Sequence, residues 1–265
     1  MKKGVLAVCM AAVAALFLVE VSMEALFIHR RLQQTMGPGT LVRNTPEVMT
    51  VIVTEKENTP RYLLLCGKVG KELRLCSLDP DTQIPDPQGG RTTLRKLAAQ
   101  RGIRTMVSTL SDVFGVKTGQ YLSMDVQGVQ QLVTAMDGIQ ASGETESGET
   151  VTGQQAEELL LSGDHQIEHP ELKLFAGMVY RLGQLPRNRL PSLAVQGMKY
   201  AKTNVSLREI LGQGASLLSG GELSVQTMAL PGTIPAVWGG SGETRQCQYD
   251  IGQAAGQVGR FFAGK

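Results

Sequence analysis

Hydrophobic positions along this chain switch between the alternating spacing of a strand and the three-to-four spacing of a helix. Val48 to Thr54 is rich in Val and Ile and predicts a first strand. Arg61 to Cys66 and Glu72 to Leu78 predict two more, joined through Gly67-Lys68-Val69-Gly70-Lys71 as a hairpin turn. Pro85 to Gly90 reads as a loop, and Thr92 to Arg101 as a helix stopped by Gly102. Between Arg104 and Val116, residues Met106, Val107, Leu110, Val113 and Phe114 share one helical face. Tyr121 to Met124 is strand-like. Asp125 is then an N-cap for a helix carrying Val126, Val129, Leu132, Val133 and Met136, ended by Gly138.

The polar stretch from Ser142 to Glu149 predicts a surface hairpin or loop. Capping-box spacing marks later helix starts at Thr152 with Gln155, Ser206 with Glu209 and Asp250 with Gln253. The last of these leads into Ile251 to Phe262, where Ala254, Ala255, Val258, Phe261 and Phe262 form one stripe. Strands are expected at Met198 to Lys202 and Leu223 to Ala229. Such alternation predicts an α/β fold, a three-layer α/β/α sandwich with a mixed central sheet.

The start of the chain follows a different pattern. Lys2 and Lys3 precede an uncharged run from Gly4 to Val19; Glu20 and Glu24 interrupt it before Ala25 to Ile28 and His29-Arg30-Arg31. The run is marginal for a full span, so a retained anchor and a cleaved secretory signal both remain open. In either case the body is expected outside the cytoplasmic membrane. The organisation predicted is an N-terminal transmembrane segment over residues 1–30, a tether over 31–46 and one extracytoplasmic domain over 47–265.

Bulk properties change this picture little. With 265 residues, 42% hydrophobic and 19% charged, the chain suits a folded body. A net charge of +2, no long basic block and few aromatics argue against nucleic acid as a partner. Cys66 and Cys76 lie on neighbouring predicted strands, but a short hairpin would set Cys66 opposite about Leu73, which disfavours a disulfide. Buried thiols are the expectation.

Enzyme signatures of the usual kinds are missing: no Gly-x-Ser-x-Gly, no phosphate loop, no His-Glu-x-x-His. His165 and His169, with Asp164, Glu168 and Glu171, have a spacing metals accept on a helix. Pro170 opposes helical geometry at His169, which favours a solvated helix start instead. Asp79-Pro80-Asp81-Thr82 is ordinary turn chemistry, with an aspartate bonding nearby amides.

Set in order, several short motifs resemble the LytR–CpsA–Psr family of membrane-anchored proteins that attach glycopolymers to the bacterial cell wall. Ser77-Leu78-Asp79-Pro80-Asp81-Thr82 is similar to its Ser-Ile-Pro-Arg-Asp-Thr turn, with Pro80 where the family keeps a phosphate-gripping arginine. Tyr121 to Gly128 resembles its Tyr-x-x-x-Asp-x-x-Gly core, and Leu132 to Ile139 its Leu-Val-Asp-Ala-Leu-Gly-Gly-Val. Val151 to Ala156, Thr203-Asn204-Val205-Ser206 and Leu230-Pro231-Gly232 resemble later elements, so the likeness runs over roughly residues 47 to 265.

The resemblance implies a lipid pyrophosphate held by several arginines, an acidic pair binding magnesium if the protein is active, and a hydrophobic tunnel for the polyprenyl tail. Arginine suits such a site because its planar fork stays charged and donates to phosphate oxygens. Carried onto this chain, it leaves Asp81 and Lys173 as catalytic candidates, Asp81, Thr82 and Lys173 toward phosphate or lipid, and Glu55, Glu57 and Asp81 toward metal. The family's Tyr-x-Arg-x-Arg falls on Leu159 to Gly163, and its Arg-x-x-Arg-Gln on His169 to Leu174. With those arginines gone, the expectation is a noncatalytic protein of envelope glycopolymer assembly that binds polyprenyl (pyro)phosphate and other wall-assembly proteins. An active phosphotransferase moving glycopolymer onto peptidoglycan, and a structural domain with no ligand, stay as alternatives.

Overall fold

In the computed structural model, the residues described are 46–56, 59–70, 72–140, 150–162, 169–186, 188–205, 224–230 and 251–264. The expected anchor and tether, Glu57, the loop at Ser142, His165, and the caps at Ser206 and Asp250 lie outside them. Among the described residues no helix is long and apolar enough to cross a membrane.

The chain opens with β1 (Glu47–Lys56), β2 (Thr59–Val69) and β3 (Glu72–Leu78), three consecutive antiparallel neighbours. A small hairpin, β4 (Gln83–Pro85) and β5 (Arg91–Thr93), leads into helices α1 (Leu94–Arg101) and α2 (Ile103–Phe114). Then come β6 (Lys117–Asp125), α3 (Val126–Ala135), and the paired β7 (Ile139–Gln140) and β8 (Thr150–Val151). Helices α4 (Gly153–Ser162), α5 (Pro170–Gln184) and α6 (Leu190–Tyr200) follow, with β9 (Ala201–Thr203), β10 (Ser224–Ala229) and α7 (Ile251–Ala263) last.

The main sheet has the order β10-β3-β2-β1-β6-β9 and is mixed, because β1 pairs β6 and β10 pairs β3 in parallel. Alternation along the strands supplies two cores. Met49, Val51, Val53, Tyr62, Leu64, Leu73 and Leu75 face α3, α4, α5 and α6. Val48, Ile52, Leu63, Leu65 and Leu78 face α1, α2 and α7. The expected α/β body with helices on both faces of a mixed sheet is what forms.

Local signals explain most boundaries. Thr93 caps α1 by accepting from the Lys96 amide, and Gly102 ends it. Asp125 caps α3, its Oδ1 accepting from Gly128 N at 2.6 Å. At α4 the capping box is reciprocal: Thr152 N donates to Gln155 Oε1 at 2.8 Å, and Gln155 N to Thr152 Oγ1 at 3.3 Å. Gly153 is required there by packing, since a Cβ would stand 2.5 Å from the Gln130 carbonyl on α3.

The structure departs from the sequence expectations in definite places. Strand β2 runs on to Val69, so the hairpin turns only at Gly70, whose φ is +61°. The register therefore sets Cys66 opposite Leu75 and Leu65 opposite Cys76, not Cys66 opposite Leu73. Both cysteines are free and buried, on opposite faces of the sheet. Burial pushes the Cys66 thiol up to about 12 and raises that of Cys76 as well. Met198 to Tyr200 is helical rather than strand, because Leu190, Leu193, Ala194 and Gly197 bury one face of α6 at helical spacing. Only Ala201–Thr203 pairs with the sheet. Helix α5, from Pro170 to Gln184, was not expected as a continuous element.

Candidate functional site

Because β1, β3, β6 and β10 run in one direction, their C-terminal ends share one edge of the sheet. That edge is where open α/β sheets place ligands. Asp79 to Thr82, Glu55, Arg61, Asp125 and the start of α5 all gather there.

The turn after β3 is built by its own side chains. Asp79 Oδ1 accepts from the Asp81 amide at 2.7 Å, and Thr82 N donates to the Asp79 carbonyl at 3.0 Å. Pro80 presets the backbone of such a turn. Backbone bonds then tie the turn to α1: Arg95 N donates to Pro80 O at 2.7 Å, and Leu94 N to Thr82 O at 3.2 Å. The aspartate that bonds local amides is thus Asp79. Asp81 turns instead to α1, where Arg95 Nε and Nη2 meet its two carboxylate oxygens at 2.8 and 3.0 Å. Thr82 is fully buried, and its hydroxyl has no hydrogen-bond partner among the described residues.

Beside this turn stands the start of α5. Pro170 occupies its first turn and His169 its N-cap, at φ 43° in the left-handed region. The expectation that Pro170 keeps His169 out of helical geometry holds. Glu171, fully buried, accepts from Ser77 Oγ at 2.5 Å and lies 3.3 Å from His169 Nδ1. A carboxylate in the first helical turn is favoured by the helix dipole. Lys173 is exposed, two residues on and so about 200° around the helix from Glu171. It does not join Ser77 and Asp81. The group buried in this stretch is an acid, not a base.

At the end of β1, Glu55 is 46% exposed and stands 3.7 Å from Arg61 Nη1. Arg61 has a second task. Its Nε donates to Leu160 O at 2.7 Å and its Nη2 to Leu161 O at 2.5 Å, closing the C-terminus of α4. Tyr62 OH donates to the same Leu160 carbonyl at 2.7 Å, and the guanidinium lies 5.7 Å from the Tyr62 ring centre. An arginine therefore reaches the Leu159–Ser162 stretch after all, from a strand distant in sequence. Sequence reasoning missed Arg61 and Arg95, since neither lies in the matched motifs. Their only signal was an arginine opening a strand beside Tyr62 and one in the first turn of a helix.

These residues do not fit a magnesium ion. Such an ion needs near-octahedral oxygen ligands at about 2.1 Å. Both oxygens of Asp81 are engaged by Arg95. Glu55 belongs to β1, separated from β3 by β2, or about 10 Å across the sheet. Asp125 is engaged as a helix cap. Among the described residues no group of His, Cys, Asp and Glu is arranged to hold a metal. A cleft of about 90 Å³ between β7, β8 and the end of α5 lies at the opposite edge and shares none of these side chains.

Residues 63–178, from β2 through most of α5, match the LytR_cpsA_psr family. No curated protein matches the chain in sequence. Among solved structures, the chain is similar to TagV of B. subtilis at 13% identity and a TM-score of 0.67, covering 84% of this chain and 99% of that one. It is also similar to TagT bound to LIIa-WTA, at 11% identity and a TM-score of 0.66, covering 86% and 97%. TagT bound to LI-WTA gives 11% identity, a TM-score of 0.65, and coverage of 83% and 92%. At such identities these structures speak for the fold. Residues 63–178 hold the Asp79–Thr82 turn and Glu171, so the stretch that matches the LytR_cpsA_psr family includes this corner of the sheet edge.

Proposed function

We propose that this chain is a membrane-anchored, extracytoplasmic member of the family that serves cell-envelope glycopolymer assembly by holding a polyprenyl (pyro)phosphate lipid, without transferring the glycopolymer itself. The family's link to glycopolymer attachment, and a TagT structure with the wall teichoic acid ligand LI-WTA, support this ligand class. The observation that carries the noncatalytic reading is how charge is spent at the sheet edge. Arg95 is held by Asp81, Arg61 by Glu55 and two carbonyls, and the buried group at the start of α5 is Glu171.

Transfer of a phosphoryl-linked polymer needs preorganised positive charge where negative charge develops, and each such group is worth a few kcal/mol. Groups of this kind act together on one centre, so their losses do not add independently. A pair already neutral within the fold contributes little of that charge.

Purification of the full chain from the membrane fraction tests the reading. The protein is expected in that fraction with polyprenyl phosphate bound, seen by mass spectrometry. Supplied with magnesium and a lipid-pyrophosphate donor, it is expected to release no phosphate product above background. Pro80→Arg alone is expected to stay inactive, because Glu171 and the occupied Arg61 and Arg95 remain. Robust magnesium-dependent transfer by the unaltered protein would establish the phosphotransferase instead, and absence from the membrane fraction would remove the anchor.

A further inference from the structure

Two parallel N–H···O bonds, from Arg95 Nε and Nη2, consume both oxygens of the Asp81 carboxylate. This is the bidentate arrangement in which an arginine holds a carboxylate most firmly. Neither partner is a loose surface side chain. Asp81 is 21% exposed and Arg95 30%. The backbones behind them are joined, Arg95 N to Pro80 O at 2.7 Å and Leu94 N to Thr82 O at 3.2 Å. The neighbouring acid, Asp79, is 8% exposed and spends Oδ1 on the Asp81 amide, so it offers no open carboxylate beside Asp81.

We propose that Arg95 takes the place of a divalent cation on Asp81 and turns its outer edge to a lipid phosphate, so that headgroup contact at this turn is independent of metal. The inference rests on the lipid-holding reading above. A metal ion arriving at Asp81 would have to displace a cation tethered to the same fold. The guanidinium, in contrast, has five N–H donors. Asp81 uses the edge formed by Nε and Nη2, and Nη1 makes no hydrogen bond among the described residues. That outer edge is suited to phosphate oxygens, with geometry a point charge does not impose. Paired with Asp81 it offers N–H donors with little net charge and no coordination site, which suits grip without transfer.

Isothermal titration of the full chain in detergent with undecaprenyl phosphate decides the matter, run once with magnesium and once with EDTA. Affinities in the two conditions are expected to agree within about twofold, and Arg95→Gln is expected to weaken binding by about tenfold, equal to about 1.4 kcal/mol. Asp81→Asn releases Arg95 and is expected to bind at least as tightly, which keeps the test open should Arg95→Gln fold poorly. A parallel Mn2+ titration followed by electron paramagnetic resonance is expected to find no site on the unaltered protein tighter than about millimolar.

Weakening of about tenfold or more in EDTA, unchanged binding by Arg95→Gln, lost binding by Asp81→Asn, or a tight Mn2+ site would each overturn the proposal. If no condition gives lipid binding, the lipid-holding function and the phosphate grip fall together. The Mn2+ result then still separates a carboxylate closed by Arg95 from one open to metal.

Discussion

At the β3 corner of the sheet's C-terminal edge, Ser77, Asp79 and Glu171 are buried, and hydrogen bonds engage each of them. At the β1 corner, Glu55 is nearly half exposed and its nitrogen partner is 3.7 Å away. Both corners place an acid near an arginine, so a charge count cannot tell them apart. Burial does. An unpaired polar group in a dry core costs several kcal/mol, whereas an exposed pair is worth less than about 1 kcal/mol. The β3 corner is therefore fixed by the fold, and the β1 corner uses its arginine chiefly to close a helix.

The largest expected effect follows from Glu171. Glu171→Ala removes the acceptor of the Ser77 hydroxyl and leaves a void beside β3, and about 3 kcal/mol of stability is expected to go. Glu171→Gln keeps shape and an acceptor and is expected to cost about 1 kcal/mol. The double variant Glu171→Leu with Ser77→Ala replaces both polar partners by apolar groups and is expected to recover most of the loss. Urea unfolding of the three proteins gives the order. A double variant as unstable as Glu171→Ala would mean that the carboxylate is needed for something beyond the Ser77 pair.

The sequence disclosed the fold far better than this corner, and the reason is physical. Strand and helix periods, the Thr152–Gln155 box and the Asp125 cap are local, and each formed as expected. The β3 span matches the expected run from Glu72 to Leu78 to the residue. The end of helix α6 was misjudged because the stripe of Leu190, Leu193, Ala194 and Gly197, which holds Met198 to Tyr200 in the helix, was not read as one. Arg61 reaches Leu160 across 99 positions, and Ser77 meets Glu171 across 94. No motif spacing encodes contacts of that kind. Asp81 was legible as a turn residue, but its partner Arg95 comes from the next helix, and no motif spacing pairs the two. Lys173 lies two residues past Glu171 and is exposed, a difference of helix phase that motif spacing does not resolve.

A second prediction separates the two tasks of Arg61. Its side chain is 23% exposed, bonds the carbonyls of Leu160 and Leu161, and covers the Tyr62 ring. Arg61→Met keeps the apolar stem and removes those bonds, and is expected to cost about 2 kcal/mol while fraying the end of α4. Glu55→Gln removes only the ion pair, and is expected to cost under about 0.5 kcal/mol. Hydrogen exchange at Leu160 to Ser162 reads the fraying directly. Equal costs for the two variants would make the ion pair the essential feature, and the β1 corner would then resemble the β3 corner.

The smallest effect belongs to an acid–arginine pair with no burial to enforce it, at the opposite edge of the sheet. Asp137 is 61% exposed and Arg189 41%, with Arg189 Nη1 donating to Oδ2 at 2.5 Å. The hydrogen bond and charge of Arg189 lower the Asp137 carboxyl below its ordinary value, against a small opposing effect of desolvation. A folded-state value below the unfolded one makes the ionised carboxylate stabilising. That contribution is complete above the unfolded carboxyl value of about 4 and is lost as pH falls through the lower folded value. Asp137→Asn is the appropriate probe, because Asp137 has φ 60° and asparagine tolerates the left-handed region. The variant is expected to be slightly less stable at neutral pH, to match the unaltered protein once the carboxyl is protonated, and to lose its difference at high salt, where exposed pairs are screened. Thermal melts across acid pH measure this. A deficit that persists at low pH and high salt would trace to the backbone at Asp137, and exposure would no longer separate this pair from Asp81 and Arg95.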